Sequence, residues 1–274
     1  MADGFVATMD GWMRDAALGV YEYFTLGWRA LRFGFSRPFY WRDMLLQMDR
    51  LGVGSLPIVL LTGVFTGMVL ALQSSTELAT YGANSFLGSL VGDSMVQEIG
   101  PVLTGLGVAG RVGSGIAAEI GSMRITEQVD ALQTFGTDPI RKLVTPRLLA
   151  CLIMVPLITI LMDLVGIIGG LVIATSSGVP ADVFLRSMWA AFAYEGFIFG
   201  IFPKDFIPGI VKPFVFGGVV AITGSYYGLA ASGGAESVGT ATTRTVVVSS
   251  ILIFALDYFL TQLLMVLFGP AAAM

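Results

Sequence analysis

The chain has 274 residues, of which 55% are hydrophobic and 12% charged, and its mean hydropathy is +0.82. About a quarter of an average soluble protein is charged, so this excess of apolar residues predicts a polytopic membrane protein of the all-α class. The net charge of −4 gives no basic surface for nucleic acid, and the absence of histidine beside a single cysteine excludes the commonest catalytic base and predicts no metal site.

The N-terminal segment, residues 1–46, combines aromatic and basic side chains, which favour the level of the lipid headgroups. We predict an interfacial amphipathic helix that is broken near Pro38; a soluble helix packed on a partner is the alternative. Residues 1–15 contain three aspartates and no basic region followed by an apolar core, so no cleaved signal peptide is expected. The rings and arginines are Trp12, Tyr21, Tyr23, Phe24, Trp28, Phe33, Phe35, Phe39, Tyr40 and Trp41 with Arg14, Arg29, Arg32, Arg37 and Arg42.

Five membrane spans are predicted in the remaining domain, residues 47–274. Residues 183–202 are apolar enough to enter lipid but carry Arg186 and Glu195, so a sixth span there is the alternative. The five predicted spans cover residues 53–73, 87–120, 148–176, 208–231 and 245–268.

Charged residues inside these spans are candidate functional groups. A charge in the bilayer costs about 3 kcal/mol, so such a group must face protein, water or headgroups. Glu98 is the hardest to explain by position alone, whereas Arg111 and Glu119 could lie near the cytoplasmic surface. We interpret Arg111, Glu119, Asp163 and Asp257 as intramembrane charge pairs.

The polar loop after the second span predicts a short amphipathic helix over residues 126–135. Thr126 is a suitable N-cap, and Glu127 and Asp130 follow in the first turns, where the helix dipole favours acidic groups. An apolar residue recurs at every third position, and Gly136 ends the helix. The apolar residues are Val129, Leu132 and Phe135.

The distribution of Lys and Arg predicts the orientation. Eleven of them lie in the N-terminal arm, in the 122–147 loop and at the end of the last loop, against Arg186, Lys204 and Lys212 on the other side. Because positive residues stay in the cytoplasm, the N-terminus is predicted to be cytoplasmic and the C-terminus periplasmic.

The run from Glu98 to Leu132 closely resembles the MlaE permease family. Further matches cover nearly everything from Trp41 to Phe268, but Pro208 and Pro213 depart from the pattern expected at the start of the fourth span. The matching segments are Thr137-Asp-Pro, Pro146-Arg147, Asp205-Phe206 with Lys212, residues 233–244, and Val64-Phe65-Thr66-Gly67-Met68-Val69 with Gln73.

The resemblance implies a homodimeric permease subunit of an ABC transporter that moves phospholipid between the two membranes of Gram-negative bacteria. It implies a cytoplasmic ATPase, which would bind ATP and Mg because this chain has no Walker A motif. It also implies an MCE-domain (MlaD-like) partner and often a small STAS-domain protein. In this family the segment at residues 126–135 is the coupling helix that contacts the ATPase.

These expectations give two hypotheses for the intramembrane carboxylates. In the first, a lipid cavity between two copies is lined by Val64, Met68, Gln97 and Glu98, although Glu98 could instead pair structurally with Arg111 of the partner subunit. In the second, a proton-coupled secondary transporter uses Glu98, Asp163 and Asp257 as a relay; inverted repeats with broken helices, typical of that class, are not evident.

Overall fold

The computed structural model describes residues 2–194, 197–198, 202–204 and 206–268. Within these residues the secondary structure is helical apart from two strands of two residues each. Four helical stretches are long and apolar enough to cross a membrane, as expected of a multi-pass membrane protein. They are Trp41–Thr80, Ile140–Ser176, Phe206–Leu229 and Ala235–Leu267.

The N-terminal segment forms helix α1 (Ala2–Gly34) and, after a non-helical stretch at 35–40, helix α2 (Trp41–Gln47). Helix α1 buries Leu26 and Ala30 against the protein. Several other large apolar side chains of its described part are exposed, as is typical of a helix that lies at a membrane surface. The exposed residues include Leu18, Val20, Tyr21, Phe24 and Trp28.

Helix α2 continues through a π-helical turn (Met48–Gly52) and a 3₁₀ turn (Val53–Ser55) into helix α3 (Leu56–Thr80). Glycine allows α3 to pack closely on helix α8 (Thr145–Ser176). A Cβ atom at Gly67 would lie 1.9 Å from the carbonyl oxygen of Gly166, which leaves no space for another residue.

The region predicted as the second span is a continuous but irregular helical path. It passes through α4 (Leu87–Ser94), a π turn (Met95–Ile99), α5 (Gly100–Val108), a second π turn (Ala109–Gly113) and α6 (Ser114–Ile125). Its glycines and charged residues make it less apolar than the four stretches above, so it is not one of the candidate membrane-spanning stretches. The fifth span therefore stays a prediction.

The predicted coupling helix is shorter than residues 126–135, and the prediction that Thr126 caps its N-terminus is wrong. Helix α7 spans Gln128–Thr134, while Thr126 is the C-terminal cap of α6 and its hydroxyl donates to the carbonyl of Ser122 at 2.8 Å. Glu127 forms the bend between the two helices with φ of 60°. The hydroxyl of Thr126 is thus used by the preceding helix. Gly136 ends the segment with φ of 72°, a conformation that favours glycine.

The three apolar residues of this segment do not share one exposed face. Val129 is 2% exposed and packs into the protein, Leu132 is half-buried, and Phe135 is 84% exposed. An α-helix has 3.6 residues per turn, so side chains three residues apart point in different directions around the helix axis. Phe135, moreover, already lies at the C-cap of α7. Only Leu132 and Phe135 can therefore reach a partner.

A π turn (Ile140–Val144) leads into α8, and helix α9 (Ala181–Tyr194) follows it. Helix α9 would be about 21 Å long, shorter than the roughly 30 Å apolar layer, so the described part of residues 183–202 holds no spanning helix. Strands β1 (Phe197–Ile198) and β2 (Phe202–Pro203) pair antiparallel after it. Glu195 lies outside the described residues.

Helices α10 (Phe206–Leu229) and α11 (Ala235–Phe268) complete the bundle. Pro208 lies in the first turn of α10, where backbone N–H groups have no intrahelical acceptor, so it does not disturb the helix. Lys212 is 0% exposed. It therefore adds nothing to the exposed positive charge on either side of the membrane, and its assignment to the outer side stays a prediction. Asp205 lies outside the described residues.

The main hydrophobic core lies where α5, α6, α8, α10 and α11 meet, and Leu26 and Ala30 of α1 extend it. Phe216 of α10 is its largest apolar side chain. Cys151 is buried there as a free thiol, next to Gly217, whose lack of a side chain allows α8 and α10 to touch. Other members include Val108, Ile116, Leu148, Val220 and Ile253.

Candidate functional site

The irregular helix at residues 95–101 exposes backbone carbonyls that a regular helix would use internally. The N–H of Gly100 bonds to the carbonyl of Met95 in the π turn, so the carbonyl of Val96 loses its usual donor. Pro101 has no N–H, so it cannot donate the usual helical hydrogen bond to the carbonyl of Gln97. π turns of this kind occur frequently at functional sites.

Helix α10 approaches these two carbonyls. A Cβ atom at Gly209 would lie 2.9 Å from the carbonyl oxygen of Val96, so glycine allows the close approach. One turn later, the Nζ of Lys212 donates to the carbonyl of Gln97 at 3.0 Å. The local break in one helix thus provides an acceptor for the buried ammonium group of another.

Lys212 also contacts two carboxylates from different helices. Its Nζ lies 2.6 Å from Oε2 of Glu98 and 3.0 Å from Oδ1 of Asp257 on α11. The first contact is a hydrogen bond, and the second is an ionic contact outside hydrogen-bond alignment. The hydroxyl of Thr261 donates to Oε1 of Glu98 at 3.0 Å. We call Gln97, Glu98, Lys212, Asp257 and Thr261 the Lys212 cluster.

The cluster holds two carboxylates and one ammonium group. Burying a lysine is unfavourable unless its charge is paired and hydrogen-bonded, and the two carboxylates and the Gln97 carbonyl meet this condition. The side chain of Lys212 is 1% exposed, that of Asp257 19% and that of Glu98 43%. Of these three charged groups, Glu98 therefore presents the most surface to a molecule outside the bundle.

Apolar side chains lie beside this polar group on α11. Phe254 and Tyr258 are exposed and stand one turn before Asp257 and Thr261, respectively, on the helix surface. A polar group next to an apolar helix face can bind an amphiphile, because the two parts of such a molecule need these two environments.

The other predicted cavity residues, Val64 and Met68 on α3, contact a different neighbour. A Cβ atom at Gly169 of α8 would lie 2.5 Å from the carbonyl oxygen of Val64 and 3.3 Å from Cγ of Met68. Their role in lipid binding stays a prediction.

The structure gives three different environments to the remaining predicted charges. Glu119 pairs with the buried Arg147 at 2.8 Å and with Arg50 at 3.8 Å. The guanidinium of Arg111 lies beside Gly54. Asp163 is 6% exposed, and its Oδ1 has no hydrogen-bond partner among the described residues.

Sequence reasoning missed Lys212 as the partner of Glu98. The signal was a lone lysine within an apolar stretch, since a cation in that position must find a buried anion. The sequence did not show which carboxylate it meets, because Glu98 and Asp257 are more than 100 and more than 40 positions away along the chain. Thr261 gave no signal of its own.

Helix α7 is held at both ends by ion pairs. Arg124 of α6 pairs with Asp130, and Arg29 of α1 lies 2.8 Å from Asp138, whose other oxygen accepts the N–H of Ile140 at 2.9 Å. A cavity of about 590 Å³ lies beside the helix, lined in part by Arg29, Arg124 and Val129. Of the predicted coupling residues, Glu127 is exposed at the bend before α7.

The next turn ties the same region to the N-terminal segment. Arg141 donates to the hydroxyl of Ser36 at 2.7 Å, and Lys142 lies 2.5 Å from the carboxylate of Asp43. The π turn before α8 is therefore attached to the stretch after α1 and to α2.

Comparison with known proteins agrees with the resemblance. The family model described as "Permease MlaE" matches residues 44–263. A probable ABC transporter permease protein of Rickettsia bellii is 41% identical over 247 residues, which cover 90% of this chain and 92% of the relative. The intermembrane phospholipid transport system permease protein MlaE of Haemophilus influenzae is 37% identical over 222 residues, covering 81% and 82%.

A more distant relative is the chloroplastic protein TRIGALACTOSYLDIACYLGLYCEROL 1 of Arabidopsis thaliana. It is 34% identical over 224 residues, which cover 81% of this chain and 61% of the plant protein. The family match spans α3 to most of α11 and includes every residue of the Lys212 cluster. The chain therefore belongs to the MlaE permease family of ABC transporters.

Proposed function

We propose that this chain is the non-catalytic membrane subunit of an ATP-driven transporter that moves phospholipid between the inner and the outer membrane. The observation that carries the proposal is the Lys212 cluster, which holds the half-exposed Glu98 next to an apolar helix face. The name of the Haemophilus influenzae relative, which specifies intermembrane phospholipid transport, supports the substrate class.

In this proposal Glu98 interacts with the lipid headgroup while the acyl chains lie along apolar side chains. The remaining members of the cluster keep Glu98 in place, because Lys212 and Thr261 each bind one of its oxygens. The site provides binding and orientation only. The chemical step, ATP hydrolysis with Mg, belongs to a separate ATPase.

A second copy of the chain would enclose the cavity. Two features support this: α11 exposes a long apolar face, and Gly107, Gly110 and Gly115 lie at positions where an added Cβ would meet no described atom within 4 Å. Glycines on an open helix face permit close packing of helices in a membrane.

The ATPase would dock on α7 from the cytoplasm. Phe135 is a large apolar residue that is 84% exposed, and Leu132 is half-buried beside it. The exposed Phe135 and the half-buried Leu132, together with the acidic Glu127, suit a groove with an apolar floor and a basic rim. This docking places the chain in the inner membrane with α7 on the cytoplasmic side. An MCE-domain protein on the periplasmic side and a STAS-domain protein complete the proposed complex.

The proposal is tested by transport in reconstituted vesicles. The permease, with its ATPase and MCE-domain partner, is placed in donor vesicles that contain a fluorescent phosphatidylethanolamine, and ATP-dependent transfer to acceptor vesicles is measured. We expect Glu98→Ala to lower transfer about tenfold while the complex still assembles, which corresponds to the loss of one charged interaction. Glu77→Ala is the matched control, since Glu77 is an exposed glutamate at the end of α3.

Two outcomes would contradict the proposal. If Glu98→Ala fails to accumulate in the membrane, Glu98 serves folding through its pair with Lys212. If transfer by the unaltered protein requires a proton gradient and proceeds without ATP, the proton-coupled alternative is correct.

A further inference from the structure

Asp163 is a buried carboxyl group that the Lys212 cluster does not include. It lies in the middle of α8, is 6% exposed, and its Oδ1 has no hydrogen-bond partner in the described part of the chain. A buried polar group without a partner is unfavourable by about 1–3 kcal/mol even on mutational scales. An apolar residue at this position would be buried at a lower cost in free energy, so an aspartate there suggests a role other than packing.

The carboxyl group of Asp163 occupies the space where a side chain at position 100 would be. A Cβ atom on Gly100 would lie 1.6 Å from Oδ1 of Asp163 and 2.7 Å from its Cγ. Asp163 therefore rests directly on the backbone of α5 at its first residue. Any shift of this carboxyl group toward α5 must move the backbone at Gly100.

A second contact from α8 holds the other end of the same turn. Gly166, three residues after Asp163 and so on the same face of α8, leaves space for the side chain of Met95. A Cβ atom at Gly166 would lie 2.3 Å from Cε of Met95. The π turn from Met95 to Ile99, which carries Glu98, is thus bracketed by two contacts with one helix.

We propose that Asp163 is a positioning residue that fixes the π turn and thereby sets the carboxylate of Glu98 against Lys212. This inference rests on the proposed function, because it assigns Asp163 an effect on transport through Glu98. The π turn is the element that can change its conformation. The hydrogen bond from Gly100 to Met95 encloses one more residue than an α-helical bond does. A small displacement of this turn would redirect the Glu98 side chain.

Helix α8 also links this contact to the cytoplasmic side. It begins directly after the π turn at 140–144, whose Arg141 and Lys142 bind the N-terminal segment. Asp163 lies about 27 Å along the helix from Thr145. A displacement of the segment after α7 would therefore be transmitted through α8 to the π turn that carries Glu98.

The test compares substitutions at Asp163 in the reconstituted complex. We expect Asp163→Ala, which removes the contact with Gly100, to lower phospholipid transfer about tenfold while basal ATP turnover stays unchanged. Asp163→Asn keeps the shape of the side chain and should stay within about twofold of the unaltered protein. Thr159→Val is the matched control, because Thr159 is a buried polar residue one turn earlier that bonds only to its own helix.

A double substitution distinguishes positioning from general packing. If Asp163 acts through Glu98, Glu98→Gln with Asp163→Ala transfers lipid no more slowly than Glu98→Gln alone. Gly100→Ala should be severely impaired by its clash with Asp163, and adding Asp163→Ala should restore part of the activity.

Three results would overturn the inference: Asp163→Ala at the unaltered rate, effects of the two substitutions that multiply, or loss of both Asp163→Ala and Asp163→Asn from the membrane. Failure of the proposed function is a separate result, namely a Glu98→Gln protein that transfers lipid normally.

Discussion

Single residues in this permease show how a membrane protein keeps charges in an apolar environment. Lys212 is fully buried, yet it contacts two carboxylates and the backbone carbonyl of Gln97. This carbonyl can accept from Lys212 because Pro101 has no N–H to form the usual helical bond with it. Each member of the cluster therefore depends on the others, and removing the central cation should affect stability more than removing one carboxylate.

We predict that Lys212→Met lowers the thermal stability of the purified permease. The substitution leaves Glu98 and Asp257 without their cation, and breaking a buried pair typically costs about 3–5 kcal/mol. The measurement is thermal unfolding in detergent, followed by tryptophan fluorescence. Adding Asp257→Asn should recover part of the loss, since one unpaired charge is then removed.

Lys204→Met serves as the control, because Lys204 lies in the turn before α10 and is partly exposed. An equal loss of stability in Lys204→Met and Lys212→Met would show that the contacts of the Lys212 cluster contribute nothing specific.

At the level of secondary-structure elements, α7 differs from its neighbours because it packs against few other helices. It packs mainly on α6, lies beside a cavity of about 590 Å³, and is bounded by Glu127 and Gly136, both with positive φ. Ion pairs at Asp130 and Asp138 hold it in place. These features suit a helix that transmits movement between a docked partner and the bundle.

We predict that Leu132→Asp and Phe135→Asp each leave the permease folded but uncouple it from the ATPase. Placing a carboxylate in an apolar groove costs several kcal/mol, about enough to abolish docking. Copurification of the ATPase and lipid-stimulated ATP turnover measure the effect. Val129→Asp should instead prevent accumulation of the folded protein, because Val129 is 2% exposed within its own chain.

Gln133→Asp is the control for the charge itself, since Gln133 is exposed on α7. Normal ATPase recovery and turnover in both Leu132→Asp and Phe135→Asp would mean that α7 is a surface helix without a partner.

At the level of the whole molecule, the positions of the charges predict the orientation. Lys212 and Arg147 are both buried, so the exposed count is ten Lys and Arg residues predicted on the cytoplasmic side against Arg186 and Lys204 on the other. In the structure, Arg29, Arg141 and Lys142 of the predicted cytoplasmic group form contacts that join the N-terminal segment to residues 138–142. The asymmetry that predicts the topology is thus present among the exposed charges, and the orientation stays a prediction.

We therefore predict that the C-terminus lies in the periplasm. An enzyme reporter that is active only in the periplasm should be active when fused after Met274, and a reporter active only in the cytoplasm should be inactive there. A second fusion within the 122–147 loop should show the opposite pattern. Activity of the cytoplasmic reporter at Met274 would require an even number of spans.

The sequence by itself determined the membrane class, the family and most of the helix positions. Long apolar runs are stable in the hydrocarbon layer of a membrane, so the membrane class follows without contacts between distant residues. The same holds for the family, because the motif from Glu98 to Leu132 is specific to it. The breaks at Pro38 and Gly136 were also predictable, because proline and glycine act through local backbone geometry.

Only the tertiary structure decided which charged groups meet. Lys212 pairs with Glu98 and Asp257, Glu119 pairs with Arg147, and Asp163 rests on Gly100. These contacts join helices that are far apart in the chain, and the sequence does not encode the rotation of one helix against another in any local pattern. The same reason explains Val129, whose apolar character predicted burial but not whether its own chain or a partner would cover it.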